Sequence, residues 1–564
     1  MSIGGRARLC AYLIAATAAV TGLVVIFLAT DGSPPAAAAT ATSPACTSGT
    51  TVNTKDGAVC GLTANGVTSY LGVPYAAPPL GNLRWRPPAG VAHRSTTLQA
   101  TQASLTCPQP GVLGSTPPAS SEDCLTLNVQ VPTNAGPGPL PVMVEIHGGG
   151  FVQGTPADET VLASKGKVIA VGVNYRLGVL GFLAEKALGA HSGDYGLMDQ
   201  QAALKWVKQN ISNFGGDPNN VTLFGQSAGG ASVCDAAASP TAAGLFQKGI
   251  SESGFYGYWD NTIWPNGDCK SSLETEQNAQ ADGATLAAKV GCGTATDVAA
   301  CLRNVPVQTL LDEGSQVFSP TAGGTIAPTI NGTTLPISAA QAIKTGKLNN
   351  VKLMIGVARD EFNGGETVGS SVAQTPAQYK QLVRQQFGSL TSTIMQLYPV
   401  VRFPDSSPFI AYRTVMADSA SVCPALQADQ QLTNDVPTFA YQNDDSDTPT
   451  GSTFPLGAFH NAENPFLFQA TTATFTPDQS AMGDQIIAEW AGFARTGNPT
   501  VAGAPEWTRY TAKRQKVMSL ESAGDSSLVS TKFLNQQHHC GFWDAVNQNA
   551  PWANPAGPGP GSAS

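Results

Sequence analysis

The segment VTLFGQSAGGASV (residues 221–233) joins an apolar run typical of a buried strand to small residues typical of a helix, and Ser227 lies at the junction. A serine on such a tight turn has its hydroxyl exposed at the end of a sheet, and glycines are needed two positions away on either side. Gly225 and Gly229 occupy those positions. We therefore predict that Ser227 is a nucleophile. The alternative is an ordinary serine on a glycine-rich turn, since the chain has 60 glycines and the pentapeptide alone is weak evidence.

A second apolar run ends in consecutive glycines, in VMVEIHGGGF (142–151). Backbone N–H groups without side chains can point into a cavity and bind the oxygen of a tetrahedral intermediate. The segment therefore predicts an oxyanion hole, with a merely flexible turn as the alternative.

Short apolar runs along the chain read as buried strands, and long stretches with helical spacing separate them. This alternation predicts an α/β fold with a mostly parallel central sheet and helices on both faces. One helix is predicted from Thr476 as its cap to Gly497 as its end, with an apolar core face. The predicted strands are 142–146, 168–173, 221–224, 353–357 and 438–441.

The N-terminus has the order of an export signal. Arg6 and Arg8 precede an uncharged, mostly apolar run over 9–29, and a small-residue stretch follows with cleavage expected between Ala37 and Ala41. An uncleaved membrane anchor is the alternative, because such a run is long enough to span a bilayer. We predict an export signal and linker over 1–41, one folded domain over 46–550, and a disordered Pro/Gly tail over 551–564. The body of the protein is then secreted.

Composition excludes several classes of function. A net charge of −9 with 12% charged residues argues against general binding to nucleic acid or to anionic membranes.

Of the 11 cysteines, Cys10 lies in the export segment, and the remaining ten are expected to form disulfides outside the cytoplasm. The cysteines lack CxxC spacing and there are six histidines, so we expect no metal site.

Several long motifs resemble the type B carboxylesterase family, in the family's order and over nearly the whole chain after the export segment. They are YLGVPYAAPPLGNLRWRPP (70–88), SEDCLTLNV (121–129), NYRLGVLGFL (174–183) and the long block from Gly193 to Gly230 that contains Ser227. The resemblance implies an α/β-hydrolase fold with large helical insertions.

The resemblance also implies partners for Ser227. GVARDEF (356–362) resembles the block whose glutamate orients the catalytic histidine, which corresponds to Glu361, although the residues alone leave Asp360 equally open. GAFHNAENPFLF (457–468) resembles the histidine loop and implies His460 as the base. In this fold the chain order is nucleophile, acid, base, and His460 follows the acid.

Further roles are implied by the same resemblance. Oxyanion donors would be Gly149, Gly150 and Ala228. Disulfides Cys107–Cys124 and Cys292–Cys301 resemble the family's, whereas the pairings Cys46–Cys60, Cys234–Cys269 and Cys423–Cys540 are guesses. Ion pairs would be Arg84–Glu122 and Arg176–Asp199, with supporting roles beside the triad for Ser253 and Glu463.

The resulting hypothesis is a secreted serine carboxylesterase that hydrolyses small neutral esters through an acyl-enzyme, without metal or organic cofactor. Gln226 replaces a glutamate of many relatives, and the loop Pro108–Asp123 has no aromatic residue to bind a choline cation. Trp259 or Trp264 could still line the cleft. A lipase for longer-chain esters, with Ala373–Tyr398 as a lid, is the alternative enzyme. A non-catalytic adhesion module is the alternative of another class.

Overall fold

The computed structural model describes residues 44–111, 118–254, 274–318, 326–363, 373–433, 436–446, 455–469 and 474–549. All of them belong to one compact unit, Ser43–Ser564. The predicted export segment over 1–41 and the predicted tail over 551–564 lie outside the described residues, as do Cys269, Trp259 and Trp264.

The secondary structure alternates short strands with helices of very different length. In chain order the strands are β1 Val52–Thr54, β2 Gly57–Cys60, β3 Leu62–Ala64, β4 Val67–Pro74, β5 Leu98–Gln99, β6 Thr126–Pro132, β7 Leu140–Ile146, β8 Ile169–Val173, β9 Gly216–Gln226, β10 Lys248–Glu252, β11 Glu274–Thr275, β12 Thr329–Ile330, β13 Lys352–Ala358, β14 Thr438–Asn443, β15 Lys516–Leu520 and β16 Ser527–Ser530. The α-helices are α1 Thr160–Gly166, α2 Gly178–Phe182, α3 Tyr195–Asn210, α4 Ala228–Ala238, α5 Glu276–Lys289, α6 Val298–Arg303, α7 Val307–Val317, α8 Ala339–Thr345, α9 Pro376–Phe387, α10 Thr391–Leu397, α11 Pro408–Ala417, α12 Cys423–Leu432, α13 Asn464–Phe468, α14 Pro477–Thr496, α15 Thr531–Gln537 and α16 Cys540–Asn549.

The main sheet has 11 strands in the described part of the chain, in the order β3-β4-β6-β8-β7-β9-β10-β13-β14-β15-β16. From β8 to β15 every neighbouring pair is parallel, and antiparallel strands extend the sheet at both edges. The predicted mostly parallel sheet is confirmed, and each of the five predicted apolar runs corresponds to one of its strands, with Val168 lying directly before β8.

Side-chain alternation along the central strands divides the core between the two faces of the sheet. On β7, Val142, Val144 and Ile146 belong to one buried cluster, which also contains residues of α3 and α4. Met143 belongs to a second cluster with residues of α1, α13 and α14. Helices therefore cover both faces, as predicted.

Helix α14 has the capping expected from its sequence. The Thr476 side chain accepts from the Gln479 backbone N–H while the Gln479 side chain accepts from the Thr476 N–H, and Gly497 ends the helix in a left-handed conformation. Its apolar residues Met482, Ile486, Trp490 and Phe493 are buried, as the periodicity predicts.

The helical insertions lie after β10 and after β13. The candidate lid Ala373–Tyr398 forms α9 and α10, and its apolar side chains are buried at Tyr379, Val383 and Ile394. Phe387 packs against Trp543 of α16, with ring centroids 5.4 Å apart. Because this apolar face is already covered, it does not resemble an open lipid-docking surface. Among the described helices, none combines the length and apolarity needed to cross a bilayer.

Covalent and ionic links fasten the loops to this core. The disulfides Cys46–Cys60, Cys107–Cys124, Cys292–Cys301 and Cys423–Cys540 are present, and Cys234 is disulfide-bonded while its guessed partner Cys269 lies outside the described residues. Both expected ion pairs form as bidentate contacts: Arg84 reaches Glu122 at 2.7 and 2.6 Å, and Arg176 reaches Asp199 at 2.7 and 2.7 Å.

Candidate active site

Ser227 lies on the turn between β9 and α4 with φ +60° and ψ −126°, a conformation that L-residues rarely adopt. Two backbone hydrogen bonds hold the turn. The Ser227 N–H donates to the Glu252 carbonyl at 2.9 Å, and the Ser227 carbonyl accepts from the Ala231 N–H at 2.9 Å. Backbone strain of this kind persists where the surrounding structure holds it, and it is common at catalytic residues.

The glycines on either side of Ser227 are required by close packing against β7. A Cβ atom on Gly225 would lie 2.3 Å from the Ile146 carbonyl oxygen, and one on Gly229 would lie 1.8 Å from the same oxygen. Neither position can carry a side chain without moving the backbone. The spacing G-x-S-x-G is therefore a packing requirement of this strand–turn–helix unit.

Glu361 and His460 form a short polar contact. The Glu361 carboxylate accepts from His460 Nδ1 at 2.6 Å and is completely buried. Its other oxygen accepts from the Ala358 N–H at 3.0 Å, and the His460 N–H donates to the Glu361 carbonyl at 3.0 Å. The acid and histidine loops are thus joined by both side chains and backbone.

Asp360, the residue that sequence reasoning left open beside Glu361, points elsewhere. Its carboxylate accepts from the Arg359 guanidinium at 2.9 and 2.8 Å and from the Ala458 N–H at 3.0 Å. The structure therefore places Glu361, and not Asp360, against the imidazole.

Burial and neighbouring acids act in opposite directions on His460. Burial disfavours the imidazolium, but the charge of Glu361, its hydrogen bond and the charge of Glu463 together raise the pKa of His460. Burial, followed by the charge of Glu361, raises the pKa of Glu463. Burial, followed by the charge of Glu463, raises the pKa of Glu252, whose carboxyl accepts from Trp490 Nε1 at 2.6 Å. Behind the histidine, these two carboxyl groups therefore ionise at higher pH than an exposed glutamate.

The predicted nucleophile, base and oxyanion glycines line one cavity of about 660 Å³, which contains Ser227, His460, Gly149 and Gly150 in its wall. Gly149 and Gly150 have φ values of +106° and +61°. Ala228 follows Ser227 as the first residue of α4, where a helix presents backbone N–H groups that make no intrahelical bond. Amides from two segments therefore flank the serine.

His147 supports the glycine loop from beneath. It is buried, stacks on Tyr175 with centroids 4.5 Å apart, and its Nδ1 lies 2.8 Å from the Gly148 carbonyl. Burial lowers the pKa of His147 to about 4, so its imidazole is neutral and Nδ1 donates to that carbonyl.

Sequence reasoning missed other residues of the cavity wall and one contact of Gln226. Asn461 and Asn464 follow His460 in the same block, which is the only signal that could have found them. The amide of Gln226 lies 3.1 Å from His460 Nε2. Additional lining residues are Gln109, Glu145, Gln153 and Phe468.

Of the remaining expected residues, Ser253 has a positive φ of +46° and donates its backbone N–H to the Gly356 carbonyl at 2.8 Å. Glu463 accepts from the Tyr441 hydroxyl at 3.3 Å. These contacts do not involve His460, so the supporting roles of both residues remain predictions. In the described part of the chain, no group of three or more His, Cys, Asp or Glu side chains is arranged to hold a metal ion.

A serine on a strained turn, a histidine–carboxylate pair and flanking backbone amides are the parts of a nucleophilic acyl-transfer site. Comparisons with known proteins agree. The model of the carboxylesterase family matches residues 48–543. A para-nitrobenzyl esterase from Bacillus subtilis (strain 168) is 34% identical over 495 residues, covering 84% of this chain and 94% of that protein. A cholinesterase from Mus musculus is 31% identical over 535 residues, covering 87% of this chain and 86% of that protein.

Solved structures of PNB esterases have the same fold. One matches with a TM-score of 0.72 at 32% identity and covers 86% of this chain and 99% of its own. A thermophilic PNB esterase matches with a TM-score of 0.72 at 31% identity. The α/β-hydrolase fold is therefore shown by sequence and structure together.

Proposed function

Since this chain belongs to the carboxylesterase family and is a serine carboxylic ester hydrolase, we propose that it cleaves small neutral carboxylic esters through an acyl-enzyme on Ser227. The observation that carries the proposal is the 2.6 Å contact between Glu361 and His460 Nδ1, because His460 and Ser227 line the same cavity. This contact fixes the imidazole tautomer with the proton on Nδ1 and with Nε2 as the acceptor, which is the state required of a general base.

The first half of the reaction makes the acyl-enzyme. His460 Nε2 removes the proton of Ser227 Oγ as that oxygen bonds to the ester carbonyl carbon, and the carbonyl oxygen becomes an oxyanion. Glu361 stabilises the imidazolium that forms. Backbone N–H groups of Gly149, Gly150 and Ala228 bind the oxyanion. The tetrahedral intermediate collapses, and the alcohol leaves with the proton from His460.

The second half returns the enzyme to its starting state. His460 removes a proton from water, the resulting oxygen bonds to the acyl carbon, and Ser227 Oγ leaves with the proton that His460 held. The acid product departs.

The catalytic proposal is tested by replacing the nucleophile. Ser227→Ala should lower kcat for p-nitrophenyl butyrate by about 10³-fold or more, because the triad acts as a unit. Ser232→Ala is the matched control: Ser232 lies on the same helix and donates to the Ala228 carbonyl at 2.9 Å, so this variant should keep most activity. A fluorophosphonate probe should label the wild type and the control but not Ser227→Ala. A folded Ser227→Ala protein with near-normal turnover would refute the assignment.

The neutral substrate is proposed from the sequence of the loop Pro108–Asp123, which has no aromatic ring for a quaternary ammonium; its residues 112–117 lie outside the described residues. The specificity constants for butyrylcholine, for 3,3-dimethylbutyl butyrate and for a long-chain triglyceride emulsion test it. We expect the neutral isostere to match or exceed the choline ester. A marked preference for butyrylcholine would contradict this, and strong activation at the oil–water interface would favour a lipase.

Secretion is also proposed, on the export-like sequence over 1–41 and on the disulfides, which persist mainly outside the cytoplasm. The mature protein should occur in the culture medium with a new N-terminus between residues 37 and 42, as read by mass spectrometry. Recovery of the intact chain in the membrane fraction would instead support the anchored alternative.

A further inference from the structure

The side chain of Gln109 is joined to the backbone of Gly154 by two hydrogen bonds. Gln109 lies two residues after Cys107, in the loop closed by the Cys107–Cys124 disulfide, and is 4% exposed. Its amide nitrogen donates to the Gly154 carbonyl at 2.9 Å, and its amide oxygen accepts from the Gly154 N–H at 2.8 Å. The amide nitrogen also donates to the Cys107 carbonyl at 3.1 Å. Because these three contacts require the same placement of nitrogen and oxygen, the amide has one orientation.

Gly154 ends the glycine loop (148–154), which contains the proposed oxyanion donors Gly149 and Gly150. At the stem of this loop, the Gly149 carbonyl accepts from the N–H groups of Val152 and Gln153, both at 3.1 Å. Gly149 also lies so close to the opposite strand of the stem that a Cβ atom on it would be 2.1 Å from the Gln153 carbonyl oxygen. Since Gly154 directly follows Gln153, the position of Gly154 determines where this stem lies.

Gly154 packs against His147 at the start of the loop. Gly154 has a φ of +128°, and a Cβ atom on it would lie 2.2 Å from His147 Nδ1. Near the middle of the loop, the Phe151 carbonyl accepts from the Gly178 N–H at 2.7 Å. Segments outside the loop therefore hold it at two places, with Gly178 near its middle and Gln109 at its stem.

We propose that Gln109 is a positioning residue for the oxyanion hole, because its amide fixes the stem of the glycine loop and so holds the N–H groups of Gly149 and Gly150 where the oxyanion forms. This inference rests on the proposed function of Ser227. Donors that are fixed in advance stabilise an oxyanion without reorganisation during the reaction, and a displacement of about 1 Å can cost about 10²-fold in rate. The bound ester does not yet have the full charge of the oxyanion, so loss of the Gln109 amide should lower kcat far more than it raises KM.

The test uses Gln109→Met, which keeps the length of the side chain and removes both hydrogen-bonding ends of the amide. With p-nitrophenyl butyrate, kcat should fall by about 10- to 100-fold while KM changes by less than about threefold. The acid limb of kcat/KM against pH should not move, because Gln109 does not contact the Glu361–His460 pair. A shifted limb would show that the change disturbs the base rather than the oxyanion hole, and would overturn the proposal.

An inhibitor that mimics the tetrahedral intermediate gives a readout of the oxyanion hole itself. When propyl trifluoromethyl ketone binds, Ser227 Oγ bonds to its carbonyl carbon, the hydroxyl proton moves to His460, and the ketone oxygen becomes an oxyanion. Its Ki should therefore rise in Gln109→Met by the same factor by which kcat/KM falls. Gln109→Asn keeps the amide on a side chain one methylene shorter, so both of its values should lie between those of the wild type and of Gln109→Met.

Gln201→Met is the matched control. Gln201, on α3, is 5% exposed, and its amide donates to Ser239 Oγ at 3.0 Å and accepts from the Thr241 hydroxyl at 2.6 Å. Loss of this buried amide should lower Tm, while kcat and the ketone Ki stay within about twofold of the wild type. Equal kinetic losses in the two methionine variants, a Ki that does not follow kcat/KM, or a normal kcat in folded Gln109→Met would each overturn the proposal. Failure of the proposed function would be separate, since it would appear as residual activity in Ser227→Ala.

Discussion

Replacing each of the two adjacent acids by its amide separates their roles. Glu361→Gln keeps the size of a side chain that is 0% exposed and can still accept from the Ala358 N–H, but it removes the charge that faces His460 Nδ1 at 2.6 Å. Asp360→Asn keeps an acceptor for the Ala458 N–H and loses only the charge opposite Arg359. The two changes are chemically matched and one residue apart.

The expected magnitudes differ by orders of magnitude. In Glu361→Gln the imidazolium of His460 that forms during turnover loses its charged partner, and the tautomer of the neutral imidazole is no longer fixed. Such a loss typically costs about 10³- to 10⁴-fold in kcat, or roughly 4 to 5.5 kcal/mol of transition-state stabilisation. The pair lost in Asp360→Asn is partly exposed, with side-chain exposures of 27% and 17%, so its loss should cost about 1 kcal/mol of stability. We expect less than about a tenfold change in its kcat.

The assay is steady-state hydrolysis of p-nitrophenyl butyrate on the pH plateau, with thermal unfolding to confirm that both variants are folded. The pH profile gives a second readout. Because Glu361 raises the pKa of His460, its removal should move the acid limb of the residual activity of Glu361→Gln to lower pH. A crippled Asp360→Asn beside a nearly normal Glu361→Gln would show that the acid has been assigned to the wrong residue.

Three other predictions concern stability, and a fourth concerns the oxidation state of the cysteines. Burial raises the pKa of Glu489 to about 8, so the folded protein keeps a proton on this carboxyl that the unfolded chain releases. The free energy of unfolding therefore falls as pH rises from about 4.5 to about 8. Glu489→Gln should raise Tm at pH 9 far more than at pH 4.5. Asp199→Asn leaves the buried guanidinium of Arg176 without its charged partner and should lower the free energy of unfolding in urea by about 3 to 5 kcal/mol. Removing the bridge Cys423–Cys540, which closes a separation of 117 residues, should lower the free energy of unfolding by about 3 to 5 kcal/mol. Thiol labelling of the denatured, unreduced wild type should find essentially no free thiol.

The parts of the fold that sequence predicts are those with local signals. Apolar runs bounded by turn residues predict the central strands because a parallel strand is buried on both faces. The glycines around Ser227 predict the turn because the backbone of β7 lies so close that a side chain at Gly225 or Gly229 would collide with Ile146. Capping residues and periodicity predict α14 for the same local reason.

The rest depends on contacts between distant segments. Sequence could not choose between Asp360 and Glu361 because adjacent side chains of one loop leave in different directions, and only the positions of Arg359 and His460 decide which is which. The segment Ala373–Tyr398 has an amphipathic pattern that fits a lid as well as a core helix. What covers its apolar face includes Trp543, about 150 residues further along the chain, and no local pattern reveals that.

The charges around His460 set its pKa, and the pKa of a general base has to suit the operating pH. A general base works best when its pKa lies near the operating pH, and one buried carboxylate is enough to stabilise the imidazolium of the transition state. Further charges would keep a proton on the resting base and lower the fraction of active enzyme. Burial raises the pKa of both Glu463 and Glu252, so both carboxyl groups ionise at higher pH than an exposed glutamate, and a neutral amide occupies position 226. Glu361 is the carboxylate in direct contact with His460, and the raised pKa values of Glu463 and Glu252 limit the additional negative charge near that pair.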